Sequence, residues 1–111
     1  MPITQTVLIP SKIANNAQTT QYTATGVTTI IDKFTATNYD SVARTLSVNL
    51  VTSLDTSGNQ NLVVKTRSLA AGETYTFPEL VGHVLLAGGF ISTIASTATA
   101  ISIRASGREI T

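Results

Sequence analysis

Apolar and polar residues alternate with a period of two over much of this chain, and clusters of turn-forming residues interrupt the alternation at short intervals. That pattern predicts half-buried strands rather than helices. In the longest run, Val27 to Asn38, Ile30, Phe34 and Ala36 share one face while Ile31, Lys33, Thr35 and Thr37 take the other, which places Phe34 in a core. Asp32 has the parity of Ile30 and Phe34, so strict alternation buries a carboxylate unless a bulge or the strand end intervenes. The turn cluster Asn38-Tyr39-Asp40-Ser41 leads into a second strand, Ala43 to Ser53, where Leu46, Val48 and Leu50 oppose Ser47 and Asn49. These two strands are expected to pair.

Thr4 to Ile9 is a further strand, ended by Pro10, which has no N–H for a sheet ladder. It reads either as an extended arm or as the first strand of the protein's own sheet. Ser11 to Thr20 reads as a loop and Gln21 to Thr25 as a short strand. The polar stretch Asp55 to Asn61 forms a long hairpin loop into Leu62–Leu69, and Gly72 sits in a tight turn before Tyr75 and Phe77. Pro78 stops that strand, and Glu79 to Leu86 is the one place where a helical turn or a crossover is expected. Gly88-Gly89 precedes a strand from Phe90 to Ala95, and another runs from Ala100 to Ala105. Ser106-Gly107 is read as a turn or bulge before a tail, Arg108 to Thr111. About seven or eight strands of roughly six residues predict an all-β chain, a two-sheet antiparallel sandwich of immunoglobulin-like or jelly-roll type. Residues 1–111 form a single domain in this reading, with 1–20 as a candidate arm and loop.

The chain has 111 residues, net charge +1, 12% charged residues and no cysteine, with twenty threonines and ten serines. Soluble domains usually carry about 25% charged residues. A surface solvated mainly by hydroxyls and amides resists association less well, which points to coverage by a partner; the competing reading is a surface kept soluble by its hydroxyls. The seven cations are dispersed, with Lys65 and Arg67 on one strand and Arg104 and Arg108 near the C-terminus, so no nucleic-acid partner is expected. No apolar run approaches the roughly 20 residues that span a bilayer, and Met1-Pro2-Ile3-Thr4-Gln5 lacks the basic start of a signal peptide, so no membrane partner and synthesis in the host cytoplasm are expected.

Candidate chemistry is thin. His83 is the one imidazole, set among Leu80, Val81, Gly82, Val84 and Leu85, and no cysteine or second histidine completes a metal site. No Gly-x-Ser-x-Gly elbow accompanies it. The six carboxylates, Asp32, Asp40, Asp55, Glu73, Glu79 and Glu109, are scattered, whereas glycosidase chemistry needs two across a cleft. Asp55-Thr56-Ser57-Gly58-Asn59 has the spaced oxygens of a calcium loop without its closing glutamate. The expectation is a non-enzymatic chain with no catalytic, cofactor-binding or metal-binding residues.

Two stretches carry a resemblance. Ser68-Leu69-Ala70-Ala71-Gly72-Glu73-Thr74-Tyr75-Thr76-Phe77-Pro78 resembles a turn common in immunoglobulin-like sandwich modules. Leu86-Ala87-Gly88-Gly89-Phe90-Ile91-Ser92, with Ile101-Ser102-Ile103-Arg104-Ala105-Ser106-Gly107-Arg108-Glu109-Ile110, looks like the terminal hairpin of small structural proteins of tailed bacteriophages. Gly89 stands where those relatives usually have aspartate. The resemblance covers roughly the second half of the chain and implies a virion component: a capsid decoration or cement protein bound to the major capsid protein lattice or other virion proteins, as a homo-oligomer, with a trimer favoured. A neck, tail or head-fibre component is the alternative, and a small carbohydrate-binding module a further one. Val7, Leu8 and Ile9 are the candidate contacts of an N-terminal arm, and Arg104, Arg108 and Glu109 are candidate pairs to a neighbour.

Overall fold

The computed structural model describes residues 2–111, which form nine strands. They are β1 (Ile3–Ile13), β2 (Thr19–Thr23), β3 (Thr28–Asn38), β4 (Arg44–Val51), β5 (Leu62–Leu69), β6 (Thr74–Thr76), β7 (Val84–Leu85), β8 (Phe90–Ala95) and β9 (Ile101–Ile110). One sheet runs β1-β9-β3-β6, with β7 also on β3, and the other runs β2-β8-β4-β5. Every pairing is antiparallel, and the pairings are nested: β1 with β9, β2 with β8, β3 with β6 and β7, β4 with β5. A long hairpin folded over itself in this way is the jelly-roll connectivity, which decides between the two sandwich types expected. β3 and β4 therefore lie in different sheets and do not pair, contrary to the reading of them as paired neighbours.

The inner faces of the two sheets meet in one core in which Phe34, Leu46, Val48, Ile91, Ile101 and Ile103 are essentially solvent-free. Burial of each such side chain stabilises the fold by about 1.5–3 kcal/mol. Phe77 packs edge-on against both Phe34 and Tyr75, at centroid distances of 5.2 and 4.8 Å. Arg67, from β5, lays its guanidinium 3.8 Å from the centre of the Tyr75 ring on β6 and so closes the gap between the two sheets at that edge. The outer face of β4 is covered as well. Ser47 and Asn49, expected to face solvent, are buried, and the Asn49 side chain bonds to Gln18, Gly58 and Asn61.

Two bulges settle the parity of Asp32. On β3 the register steps from Ile31↔Gly107 to Lys33↔Ser106, leaving Asp32 outside the ladder, where it turns outward onto Arg108. The core positions are consequently Thr29 and Ile31 before the bulge and Phe34, Ala36 and Asn38 after it; Ile31 is buried, and Ile30, expected inside, is only half-buried. On β1 a matching step from Val7↔Ser106 to Ile9↔Ala105 leaves Leu8 as the extra residue, so Leu8 and Ile9 are both buried. Gly107, on β9 between these bulges, has no room for a side chain. A Cβ there would lie 2.2 Å from the Ile30 carbonyl oxygen and 2.8 Å from Leu8 Cδ1.

Several sequence expectations are corrected. β1 continues through Pro10 to Ile13, beyond the expected end, and of the two readings of this segment it takes the second, the first strand of the protein's own sheet. The loop read as Ser11–Thr20 shrinks to residues 14–18. Ser106-Gly107 does not end a strand, and Arg108-Glu109-Ile110 continue β9. No helix forms between Glu79 and Leu86: the Leu80, Val81 and His83 amides each bond three residues back, and Gly82, at φ +86°, then turns the chain onto β3. Gly82 donates to Ile31 at 2.7 Å and Ile31 to His83 at 3.0 Å, and Val84 and Leu85 then pair with Ile30 and Thr29 as β7.

Gly107→Ala is expected to destabilise the protein by about 1–3 kcal/mol, because the methyl meets backbone that cannot move without breaking the β3–β9 ladder. Ser106→Ala, on the outer face of the same strand, should change stability by less than about 0.5 kcal/mol. Urea denaturation of both variants measures the difference.

Candidate functional site

Two connections meet at one end of the sandwich, residues 52–61 between β4 and β5 and residues 83–89 around β7, and an open cleft of about 600 Å³ lies between them. The first is held by its own side chains. The Asp55 carboxylate accepts from the Thr56 N–H at 2.8 Å, which holds its carboxyl below the usual carboxylate range, and also from Gln60 and Asn61. Asn61 donates to the Thr56 carbonyl and accepts from Asn49 on β4, at 2.8 Å each, which anchors the loop to the sheet. Of the residues that the sequence arranges like a calcium loop, these bonds engage the side-chain oxygens of Asp55. The second connection closes against the first at Gly88, where a Cβ would lie 2.4 Å from Ser53 Oγ.

The walls of the cleft are Leu50, Val51, Leu62, Val63, Val84 and Leu85, and Asp55, Gln60, Asn61 and His83 supply its polar groups. Val84 and Leu86 expose more than half of their surface, and Leu54, between the lining residues Ser53 and Asp55, is fully exposed. Leu54 also holds φ at +71°, a conformation that costs a leucine about 1–2 kcal/mol. A strained backbone that presents a bare leucine to solvent suits a contact surface. Among the described residues Asp55, already committed within its loop, is the one carboxylate lining the cleft, and no Phe, Tyr or Trp lines it.

All six carboxylates have intramolecular partners. Asp32 pairs with Arg108 through both oxygens at 2.9–3.2 Å, and Asp40 pairs with Arg44 at 2.8 Å. Glu73 accepts from the Ala70 N–H, Glu79 from the Tyr75 hydroxyl and Glu109 from the Tyr22 hydroxyl. Among the described residues no three His, Asp or Glu gather as a metal site would require. Such an arrangement offers apolar contact and carboxylates already bonded within the chain.

Of the residues expected at an interface, Leu8 and Ile9 belong to the core, whereas Val7 is 42% exposed on β1. Arg104 bonds to Ser11, Arg108 is bound to Asp32, and Glu109 accepts from the Tyr22 hydroxyl of the other sheet, which also bonds to Thr29. None of the six lines the cleft; of its lining residues the sequence reading weighed Asp55 and His83 as candidate chemistry and gave none a role at an interface. The available signal was Leu54, one leucine within the polar run Thr52 to Asn61. Compared with known proteins, the chain matches no protein-family model, no curated protein and no solved structure.

Burial first, and the Glu109 hydrogen bond second, push the Tyr22 phenol up to about 12. The unfolded chain loses this proton near 10.0 while the folded chain keeps it, so the unfolded state binds fewer protons between those values. Stability is fully present below pH 10.0 and falls as pH rises toward about 12. Thermal unfolding across that window should show a smaller alkaline loss for Tyr22→Phe than for the parent chain.

Proposed function

We propose that this chain is a non-enzymatic structural protein of a tailed-phage virion, most simply a decoration or cement protein that binds the major capsid protein lattice as a homo-oligomer and stabilises it. The observation that carries the reading is the cleft with its exposed rim, Leu54, Val84 and Leu86, in a molecule whose carboxylates are all committed to internal bonds. An apolar patch left open on a charge-poor surface marks an interaction site. The virion placement rests on the resemblance of the terminal hairpin residues, Leu86–Ser92 and Ile101–Ile110, to tailed-phage structural proteins. Jelly rolls serve capsid and lectin domains alike, so the architecture is compatible with this role and does not select it.

Many copies, each with a modest contact, would add up through multivalency on a lattice. A neck, tail or head-fibre position uses the same surface, and cryo-EM of particles containing the chain separates the two by where its density lies. A carbohydrate-binding module is the weaker reading, because a sugar site draws on aromatic platforms and the cleft residues include none.

Leu54→Asn tests the reading. Asparagine tolerates the left-handed backbone better than leucine, so stability should be unchanged or rise by up to about 1 kcal/mol. Removal of the apolar side chain should weaken binding to capsids by roughly tenfold or more. Co-sedimentation with capsids assembled without the chain measures this, and no binding by the parent protein would sink the proposal.

A further inference from the structure

We propose that residues Ile3–Val7 of β1 are a self-pairing edge, through which two copies of this chain join their first sheets into one continuous sheet across a two-fold axis at Gln5. β1 is an outer strand with β9 on one side only. The Thr111 N–H donates to the Pro2 carbonyl at 3.2 Å, and the register continues as Ile3↔Ile110, Thr4↔Glu109, Gln5↔Arg108 and Thr6↔Gly107. Bonded and non-bonded pairs alternate along an antiparallel ladder. Pro2, Thr4 and Thr6 therefore turn their backbone groups toward β9, and Ile3, Gln5 and Val7 turn theirs to the open edge. The same alternation appears two strands away, where Ile31, opposite Gly107, gives its N–H and C=O to His83 and Gly82 rather than to β9.

This open edge is complementary to itself. When Gln5 faces Gln5 of an antiparallel second copy, Ile3 faces Val7 on either side of the axis. All three pairs are of the hydrogen-bonded kind, about six backbone bonds in total. Ile3, Gln5 and Val7 share one face, so Ile3 (60% exposed) and Val7 (42% exposed) form apolar cross-strand pairs beside the glutamines. The neighbouring charges on that face, Arg108 and Asp32, already neutralise each other.

The other edges are guarded in ways this one is not. β5 carries Lys65 and a bulge with Thr66 at φ +45°; β6 has three residues and ends before Pro78; β7 has only two; β2 has five and is bulged at Gln21. Further along β1, Pro10 and Lys12 interrupt the edge. Between Ile3 and Val7 there is no charge, no proline and no bulge, which are the devices by which natural sheets prevent edge pairing. The result is a two-fold contact, in place of the trimer favoured from the sequence.

Sedimentation velocity of the untagged full chain tests the edge. The parent protein should dimerise. Gln5→Lys and Gln5→Glu each place like charges across the axis and should raise the dimer dissociation constant roughly tenfold or more, with unchanged thermal stability because the position is exposed. An equimolar mixture of the two variants should restore a 1:1 dimer, which a merely structural defect in either one would not do. Thr20→Lys, on β2 of the other sheet, should leave the dimer intact. Amide exchange should show Ile3, Gln5 and Val7 protected in the parent dimer and unprotected in Gln5→Lys. A parent chain that stays monomeric to its solubility limit, a Gln5→Lys dimer as tight as the parent, or a mixture no tighter than its components overturns the proposal. A two-fold dimer with no affinity for capsids supports the edge and overturns the virion reading.

Discussion

The fold depends on how closely three backbones can approach at the middle of the first sheet. β9 lies between β1 and β3, and at Gly107 the Ile30 carbonyl and the Leu8 side chain occupy the space a Cβ would need. The extra residues on the two flanking strands, Leu8 and Asp32, are accommodated on either side of that point. Each bulge has a consequence beyond geometry. At Leu8 it lets two consecutive side chains, Leu8 and Ile9, enter the core from an outer strand, and at Asp32 it carries a carboxylate out of the core and onto Arg108. The ends of the chain are thereby tied to its centre, since the Thr111 N–H also bonds to Pro2.

What could be read from the sequence was whatever a period of two encodes. The alternation in Val27–Asn38 and Ala43–Ser53 located two strands and placed Phe34, Leu46 and Val48 inside, and the chain is an all-β sandwich as that pattern requires. Alternation says which face a residue takes and nothing about its partner strand, so the nested order was not legible. Bulges reverse the parity partway along a strand, which is why Ile30 and Ile31 exchange places while the Asp32 conflict remains visible as a conflict. Pro10 and Ser106-Gly107 are strong local stop signals, and both lie inside strands. An edge tolerates the missing N–H of Pro10, and the crowding at Gly107 demands a residue without a side chain. The cleft was illegible for a different reason: its walls come from β4, β5 and β7 and its rim from the connections beside them, segments some thirty positions apart that only the folded chain brings together.

The low charge takes on a more specific meaning in the structure. Four of the six carboxylates serve backbone, amide or phenol donors rather than cations: Asp55 holds its own loop, Glu73 caps a turn, Glu79 holds Tyr75, and Glu109 joins Tyr22 of one sheet to β9 of the other. The few charges therefore hold the sandwich together locally, and little is left over to keep other molecules away. Among the described residues, five of the nine exposed large apolar residues lie in two places that this economy leaves unguarded, the rim of the cleft and the first residues of β1. The two lie on different elements, one at an end of the sandwich and one along a sheet edge, so a copy paired through β1 still presents its cleft.

Nested pairing also governs the order in which these surfaces are covered. β1 cannot meet β9 until almost the whole chain exists, and closing a loop of that length is entropically slow compared with forming the central β4–β5 hairpin. Until then both edges of β1 are open, and its run from Ile3 to Ile9 is uncharged. Once β9 docks, it takes one of those edges together with Leu8 and Ile9, which the core then buries. The other edge keeps the outward N–H and C=O groups of Ile3, Gln5 and Val7. A strand that had only to complete its own sandwich would gain from a lysine there, as β5 has, from a bulge, as β2 has, or from the short length of β6 and β7, and Ile3–Val7 has none of these.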